Sequence, residues 1–150
     1  MAIGEICSRQ VVFIRRNENV RQAAQLMREY HVGALVVADE SGGKLVPAGM
    51  LTDRDIAVGI VAKGLDPEAL TVEEVMTPEL FAVQEDTGVS ETIELMRSRG
   101  VRRLPVCDAT GALVGLVSAD DLIDLLAEEL NALARMISRE QRQEAQARKV

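Results

Sequence analysis

Thr52 and Asp55 lie in the stretch Gly49-Met50-Leu51-Thr52-Asp53-Arg54-Asp55, and Ser118 and Asp121 lie in Gly115-Leu116-Val117-Ser118-Ala119-Asp120-Asp121. In both, a glycine and two apolar residues lead to a hydroxyl, and a carboxylate follows three places later. That spacing supports two kinds of chemistry. At a helix start the hydroxyl accepts a hydrogen bond from the N3 backbone N–H, and an acidic N3 residue suits the positive end of the helix dipole. The same carboxylate can instead accept hydrogen bonds from the two adjacent hydroxyls of a ribose, with the Ser/Thr hydroxyl and helix N–H groups meeting ribose or phosphate oxygens. Each stretch taken singly is an ordinary cap, so both readings stay open at this point.

The elements that hold these residues come from an internal repeat. Val20 matches Val89 at an offset of 69, and the same offset pairs Glu5 with Glu74, Leu26 with Leu95, Met27 with Met96 and Arg28 with Arg97. It also pairs Val32 with Val101, Leu35 with Leu104, Val37 with Val106 and Asp39 with Asp108. Beyond "ESGGKLVPA" the offset falls to 66, joining Gly49 to Gly115, Thr52 to Ser118 and Asp55 to Asp121. The first copy therefore carries three extra residues in a Gly-rich turn between apolar runs. Each copy reads as a short helical turn, a strand, a helix, a hairpin and a further helix. In copy one these are Val11 to Ile14, a helix through Val20, Ala23, Met27 and Tyr30, the hairpin "GALVVAD" with "PAGMLT", and a helix "DRDIAVGIVAKG" ending near Gly64. Copy two repeats them with Leu80 to Val83, Val89 to Arg99, "RRLPVCD", "ALVGLVS" and a helix from about Ala119. Between the copies, Asp66-Pro67 ends a helix and Thr71 with Glu74 forms a capping box, the counterpart of "IGEICS" at the start.

Composition narrows the function. A net charge of −7 and three aromatic residues, Phe13, Tyr30 and Phe81, leave neither a basic field nor a stacking platform, so nucleic acid is not an expected partner. Cys7 and Cys107 form no CxxC pair and read as small core residues in a reducing compartment. No run of 18 apolar residues and no signal-peptide pattern is present, which places the expected location in the cytoplasm, away from membranes. His31 is the single histidine and falls at a helix end, a poor setting for triad catalysis. Asp53 and Asp55 lack a third ligand for a metal, and no GxxxxGK[ST] loop or nucleophile–base pair occurs, so no catalytic residue and no metal are expected.

The order of "VRRLPV", a hairpin, G-h-h-[ST]-x-x-D and the connecting "VEEVMT" resembles the cystathionine β-synthase (CBS) domain, twice over, as in a Bateman module. The resemblance implies an α+β fold of two βαββα repeats, packed through their small sheets about a pseudo-two-fold axis with two clefts between them. It places repeat one at 1–68, repeat two at 69–127 and a C-terminal helical extension at 128–150. It also implies a regulatory role, with an adenosine-containing ligand (AMP, ADP, ATP or S-adenosylmethionine) in the clefts, a regulated protein partner and a disc-like homodimer. No resident cofactor is implied beyond that regulatory nucleotide. Carried over, Thr52 and Asp55 serve the ribose of one cleft and Ser118 and Asp121 that of the other. Adenine contacts fall on backbone and apolar groups at Val12, Phe13 and Ile14 and at Phe81, Ala82 and Val83. Phosphate falls to Arg102 and Arg103, whose counterparts in copy one are Gly33 and Ala34. A paired arginine on an apolar strand of an acidic protein is costly unless it meets an anion, either a ligand's phosphate or the carboxylates of Asp120 or Glu85. The Asp121 cleft is therefore expected to favour phosphorylated ligands, with Arg54, Lys44 or the other copy as support in the Asp55 cleft. The alternative is a structural module with empty clefts, whose motifs serve as caps and whose function is dimerisation.

Past the repeats, Ile123, Leu126, Leu130, Leu133 and Ile137 step by 3, 4, 3 and 4. This heptad seam is expected to pack on the module or on a second subunit, and the polar "SREQRQEAQARKV" that follows reads as a solvated extension.

Overall fold

The computed structural model describes residues 1–149. After a 3-10 turn at Ile3–Glu5 come β1 (Phe13–Ile14), α1 (Val20–Tyr30), β2 (Ala34–Ser41), β3 (Lys44–Thr52) and α2 (Asp53–Ile56), which continues as a π-helix over Ala57–Val61. Then follow α3 (Val72–Val75), β4 (Val83–Gln84), α4 (Val89–Arg99), β5 (Arg103–Cys107), β6 (Leu113–Ser118) and α5 (Ala119–Ala147). The strands form two three-stranded sheets, β1-β2-β3 and β4-β5-β6, each with a parallel first pair and an antiparallel second pair. None of the described helices is long and apolar enough to cross a membrane.

Both sheets use the same devices. A bulge falls between Val37 and Ala38 in one and between Val106 and Cys107 in the other, each beside the glycine that begins a motif stretch. The three extra residues lengthen the β2–β3 hairpin, which closes in a two-residue turn with Gly42 at φ 58 and Gly43 at φ 76. Positive φ at both central residues is the turn that matches strand twist. The first strands are shorter than the apolar runs 11–14 and 80–83 imply. Phe13–Ile14 and Val83–Gln84 are edge strands, so overlap with one neighbour sets their length rather than β-propensity. The helix expected through Gly64 departs further. After four α residues it widens, and Ala62 N–H reaches Ala57 O at 2.9 Å, five residues back. Such widened turns gather at functional sites.

The two cores correspond residue for residue. Ile14, Met27, Leu35, Val37 and Leu51 in one match Val83, Met96, Leu104, Val106 and Val117 in the other. Ala23 and Leu122 belong to their own copies, while the other four members cross the sequence boundary. Val72 and Met76 from the connecting segment complete the core of copy one, while Ile3 and Cys7 complete that of copy two. Backbone bonds fix the exchange: Ile3 N–H to Thr87 O and Gly4 N–H to Glu85 O, mirrored by Val72 N–H to Glu18 O and Glu73 N–H to Arg16 O. The divisions at 68 and 127 describe the repeat in sequence, whereas the packed units interleave.

Helices α1 and α4 end alike, with the C-cap in the left-handed region. Gly100 sits there at φ 65, but its counterpart in copy one is His31 at φ 53. A side chain in that conformation is strained, which glycine is not. His31→Gly is expected to raise stability by about 0.5–1 kcal/mol and Gly100→Ala to lower it by about 1 kcal/mol. Both are read from urea unfolding midpoints at constant slope.

Helix α5 corrects one expectation. Leu122 is buried in the core of copy two, but Ile123, Leu126, Leu130, Leu133 and Ile137 are 49–69% exposed. The seam does not pack on the module, because every residue of 126–149 stands clear of it.

Candidate functional site

Both Ser/Thr-x-x-Asp stretches make the cap their sequence allows. Thr52 N–H donates to Asp55 Oδ2 at 2.9 Å, and Asp55 N–H donates to Thr52 Oγ1 at 3.1 Å. In copy two, Ser118 N–H and Oγ–H donate to Asp121 Oδ2 at 2.8 and 2.7 Å, and Asp121 N–H returns to Ser118 Oγ at 3.2 Å. Each carboxylate spends one oxygen on the cap. Among the described residues, Oδ1 of Asp55 and of Asp121 makes no hydrogen bond, so each retains an acceptor. A second constraint holds each corner: Asp53 N–H bonds Gly33 O at 2.9 Å and Ala119 N–H bonds Arg102 O at 2.8 Å, equivalent residues in the two copies.

The Thr52 corner opens on a cavity of about 390 Å³ lined by residues of both copies. Copy one contributes Thr52, Asp53 and Arg54, the connection contributes Thr77 and Glu79, and copy two contributes Phe81, Arg102 and Arg103. The size and mixed lining suit a small ligand. Three guanidinium-bearing side chains line it, and they differ in what holds them. Arg102 reaches Asp120 at 3.6 Å across a well-exposed gap, the surface pairing weighed from sequence. Arg54 and Arg103 make no ion pair among the described residues, and Arg103 is half-buried. Arg103 thus keeps its guanidinium charge uncompensated by a carboxylate among the described residues, a group whose fork geometry suits carboxylate or phosphate.

The two corners are electrically unlike. Asp53 Oδ2 lies 3.1 Å from where a Cβ on Gly33 would stand, so a carboxylate covers the position that in copy two carries Arg102. Phe81 lies under the Arg99 guanidinium, 4.7 Å from the ring centroid, which steadies the one aromatic wall of the cavity.

The cavity thus gathers Thr52, Phe81, Arg102 and Arg103 out of the candidate set. Ser118 and Asp121 are not among its lining residues, and Asp55 faces a second depression with Val58, Ile60, Lys63 and Leu70 on the flank of the π-helix. Ala82 lines a separate groove beside α4. Val12 packs on the core of copy one and Phe13 is half-buried in β1. Sequence reasoning grouped Arg102 and Arg103 with Asp121, while the structure places them in one cavity with Thr52 and Arg54. Glu79 and Asp53 were not anticipated there. Their signal was available only in the crossing of the connection between the two sheets.

Burial pushes the Cys7 thiol up, and burial with the Asp108 charge does the same at Cys107. Both are protonated at neutral pH, the opposite of a reactive thiol. Among the described residues, no group of three or more His, Cys, Asp and Glu side chains is placed to hold a metal ion.

The model of the CBS domain matches residues 3–62 and again 72–128. The chain belongs to the CBS domain family. It is 36% identical over 121 residues to the CBS domain-containing protein YhcV of Bacillus subtilis, covering 81% of this chain and 82% of that one. It is 32% identical over 125 residues to an uncharacterized protein of Methanopyrus kandleri, covering 83% of this chain but 62% of that longer protein. Among solved structures, the CBS domain pair of protein MJ0100, crystallised with 5′-methylthioadenosine and S-adenosyl-L-methionine, superposes with a TM-score of 0.74 at 25% identity. That match covers 86% of this CBS chain and 98% of the other. The tandem α+β architecture described above is that of a CBS pair.

Proposed function

We propose that this CBS pair is a regulatory module that binds an adenosine-containing anion between its copies and transmits the occupied state to a protein partner, without catalysing a reaction. The observation that carries this reading is the cavity lined by both copies, with Arg54 from one and Arg103 from the other, neither in an ion pair among the described residues. A ligand there would tie copy one to copy two, because its phosphates would draw in a side chain from each. The free Oδ1 atoms of Asp55 and Asp121 leave each corner able to take a ribose hydroxyl while keeping its cap. Adenosine compounds seated in the CBS pair of MJ0100 support the ligand class.

A second reading has its own support. Both aspartates already cap helices and Arg102 already meets Asp120, which is what a module with empty clefts would keep. Calorimetric titration of ligand-free protein with AMP, ADP, ATP, S-adenosylmethionine and NAD separates the two. The sensor reading expects saturable binding by at least one, weakened in Arg103→Ala or Arg54→Ala. No heat with any of them at millimolar concentration overturns it in favour of the structural module.

A further inference from the structure

The part of α5 that stands free of the module runs from Leu126 to Ala147, a rod about 33 Å long at the rise of an α-helix. A lone helix in water is marginal unless one face is packed. This one displays Ile123, Leu126, Leu130, Leu133 and Ile137 on a single seam, with exposed Met136 beside it. Ala127 and Ala134 each follow a seam leucine, and their small side chains allow a second helix to approach closely. A contiguous apolar stripe of this kind marks an interaction surface.

The charges on α5 identify what covers it. From Ala119 to Leu133 the helix carries five carboxylates (Asp120, Asp121, Asp124, Glu128 and Glu129) and no cation. From Ala134 to Lys149 it carries five cations (Arg135, Arg139, Arg142, Arg148 and Lys149) against Glu140 and Glu144. Such a helix is complementary to itself turned end for end. Parallel pairing would set the acidic half against another acidic half, and like-charge juxtaposition disfavours that arrangement. Antiparallel pairing sets acid against base along the length and also opposes the two helix dipoles favourably.

We propose that the occupant of this seam is a second copy of the chain, with the two α5 helices paired antiparallel. Alternating seam positions then interleave, Leu130 packing against Leu133 of the partner subunit and Leu126 against Ile137 of the partner subunit. The acidic base of each α5, beside its own module, comes under the basic tip of the other. The pairing holds whatever the cavity binds, so a failure of the ligand reading leaves it standing.

Sedimentation equilibrium on the full chain tests it. Wild type is expected to be dimeric, and Leu130→Asp/Leu133→Asp to weaken association at least about a hundredfold. Both side chains lie outside the module's cores, so the module should stay folded while the unpaired end of α5 loses helical ellipticity. A second pair of variants reads the charges: Glu128→Lys/Glu129→Lys weakens the dimer, and adding Arg135→Glu/Arg139→Glu to the same chain restores it. Orientation is read from the distance between nitroxides on Arg142→Cys, about 30 Å for antiparallel helices and about 10–20 Å for parallel ones. A monomeric wild type overturns the proposal. So does a dimer that Leu130→Asp/Leu133→Asp leaves intact, and so does the shorter distance.

Discussion

Gly115→Ala is expected to destabilise the protein by about 1–3 kcal/mol, the cost of overpacking a filled core, although it adds one methyl group. The new Cβ would stand 2.6 Å from Cys7 Sγ and 3.0 Å from Ser8 O. Neither neighbour yields easily. Cys7 is buried in the core of copy two, and Ser8 is held by a reciprocal pair of bonds with Leu116, 2.9 Å in each direction. The first glycine meets the same demand, since a Cβ on Gly49 would stand 2.9 Å from Met76 Sδ and from Thr77 O. Met76 has a longer, more adaptable side chain, so Gly49→Ala should cost less. A double-mutant cycle checks the cause. In the Gly115→Ala background, Cys7→Ala should cost less than it does in wild type, because it removes the obstructing sulfur. Equal urea midpoints for Gly115→Ala and wild type, or strict additivity in the cycle, would contradict the packing argument.

Arg103→Ala is expected to weaken a phosphorylated adenosine ligand about 10- to 100-fold while leaving adenosine itself nearly unaffected. A hydrogen bond to a charged group contributes about 1.5–3 kcal/mol, and each 1.4 kcal/mol is a factor of ten. Arg102→Ala should lose less, because that side chain is more exposed and already shares its charge with Asp120. Arg54→Ala should fall between them, since Arg54 is exposed like Arg102 but makes no ion pair among the described residues. Isothermal titration with AMP and adenosine on the three variants distinguishes these ranks. If Arg103→Ala weakens AMP and adenosine equally, its role is to hold the cavity's shape, and the phosphate assignment fails.

The repeat was legible because the two cores use the same positions, so identities such as Leu35 with Leu104 and Val37 with Val106 survive at a constant offset. The caps were legible because they depend on neighbours three residues apart. What could not be read is where long-range contacts decide. Periodicity says that Ile3 and Val72 are core residues, but each could serve its own copy or the other, and only the folded chain shows the cross-over. The same crossing brings Glu79, Thr52, Arg54 and Arg103 to one cavity, a grouping that counting from Ser118 does not reveal. The π-helix after Ile56 also escaped, because Ala57, Val58, Ile60 and Val61 fit an α pattern as well. The heptad seam was visible in sequence, but its failure to find cover on its own module was not.

The interleaving of the two leading segments says something about how such a molecule arises. A chain holding only the first sixty-odd residues would present a core lacking the piece that Val72 and Met76 supply, and would carry Ile3 and Cys7 with nowhere of its own to bury them. Two such chains could satisfy each other by trading these arms, which is a domain-swapped dimer. On that view the tandem gene is the swapped pair made permanent. The covalent joint replaces a bimolecular encounter, and after fusion each half is free to diverge, as Gly33 and Arg102 have.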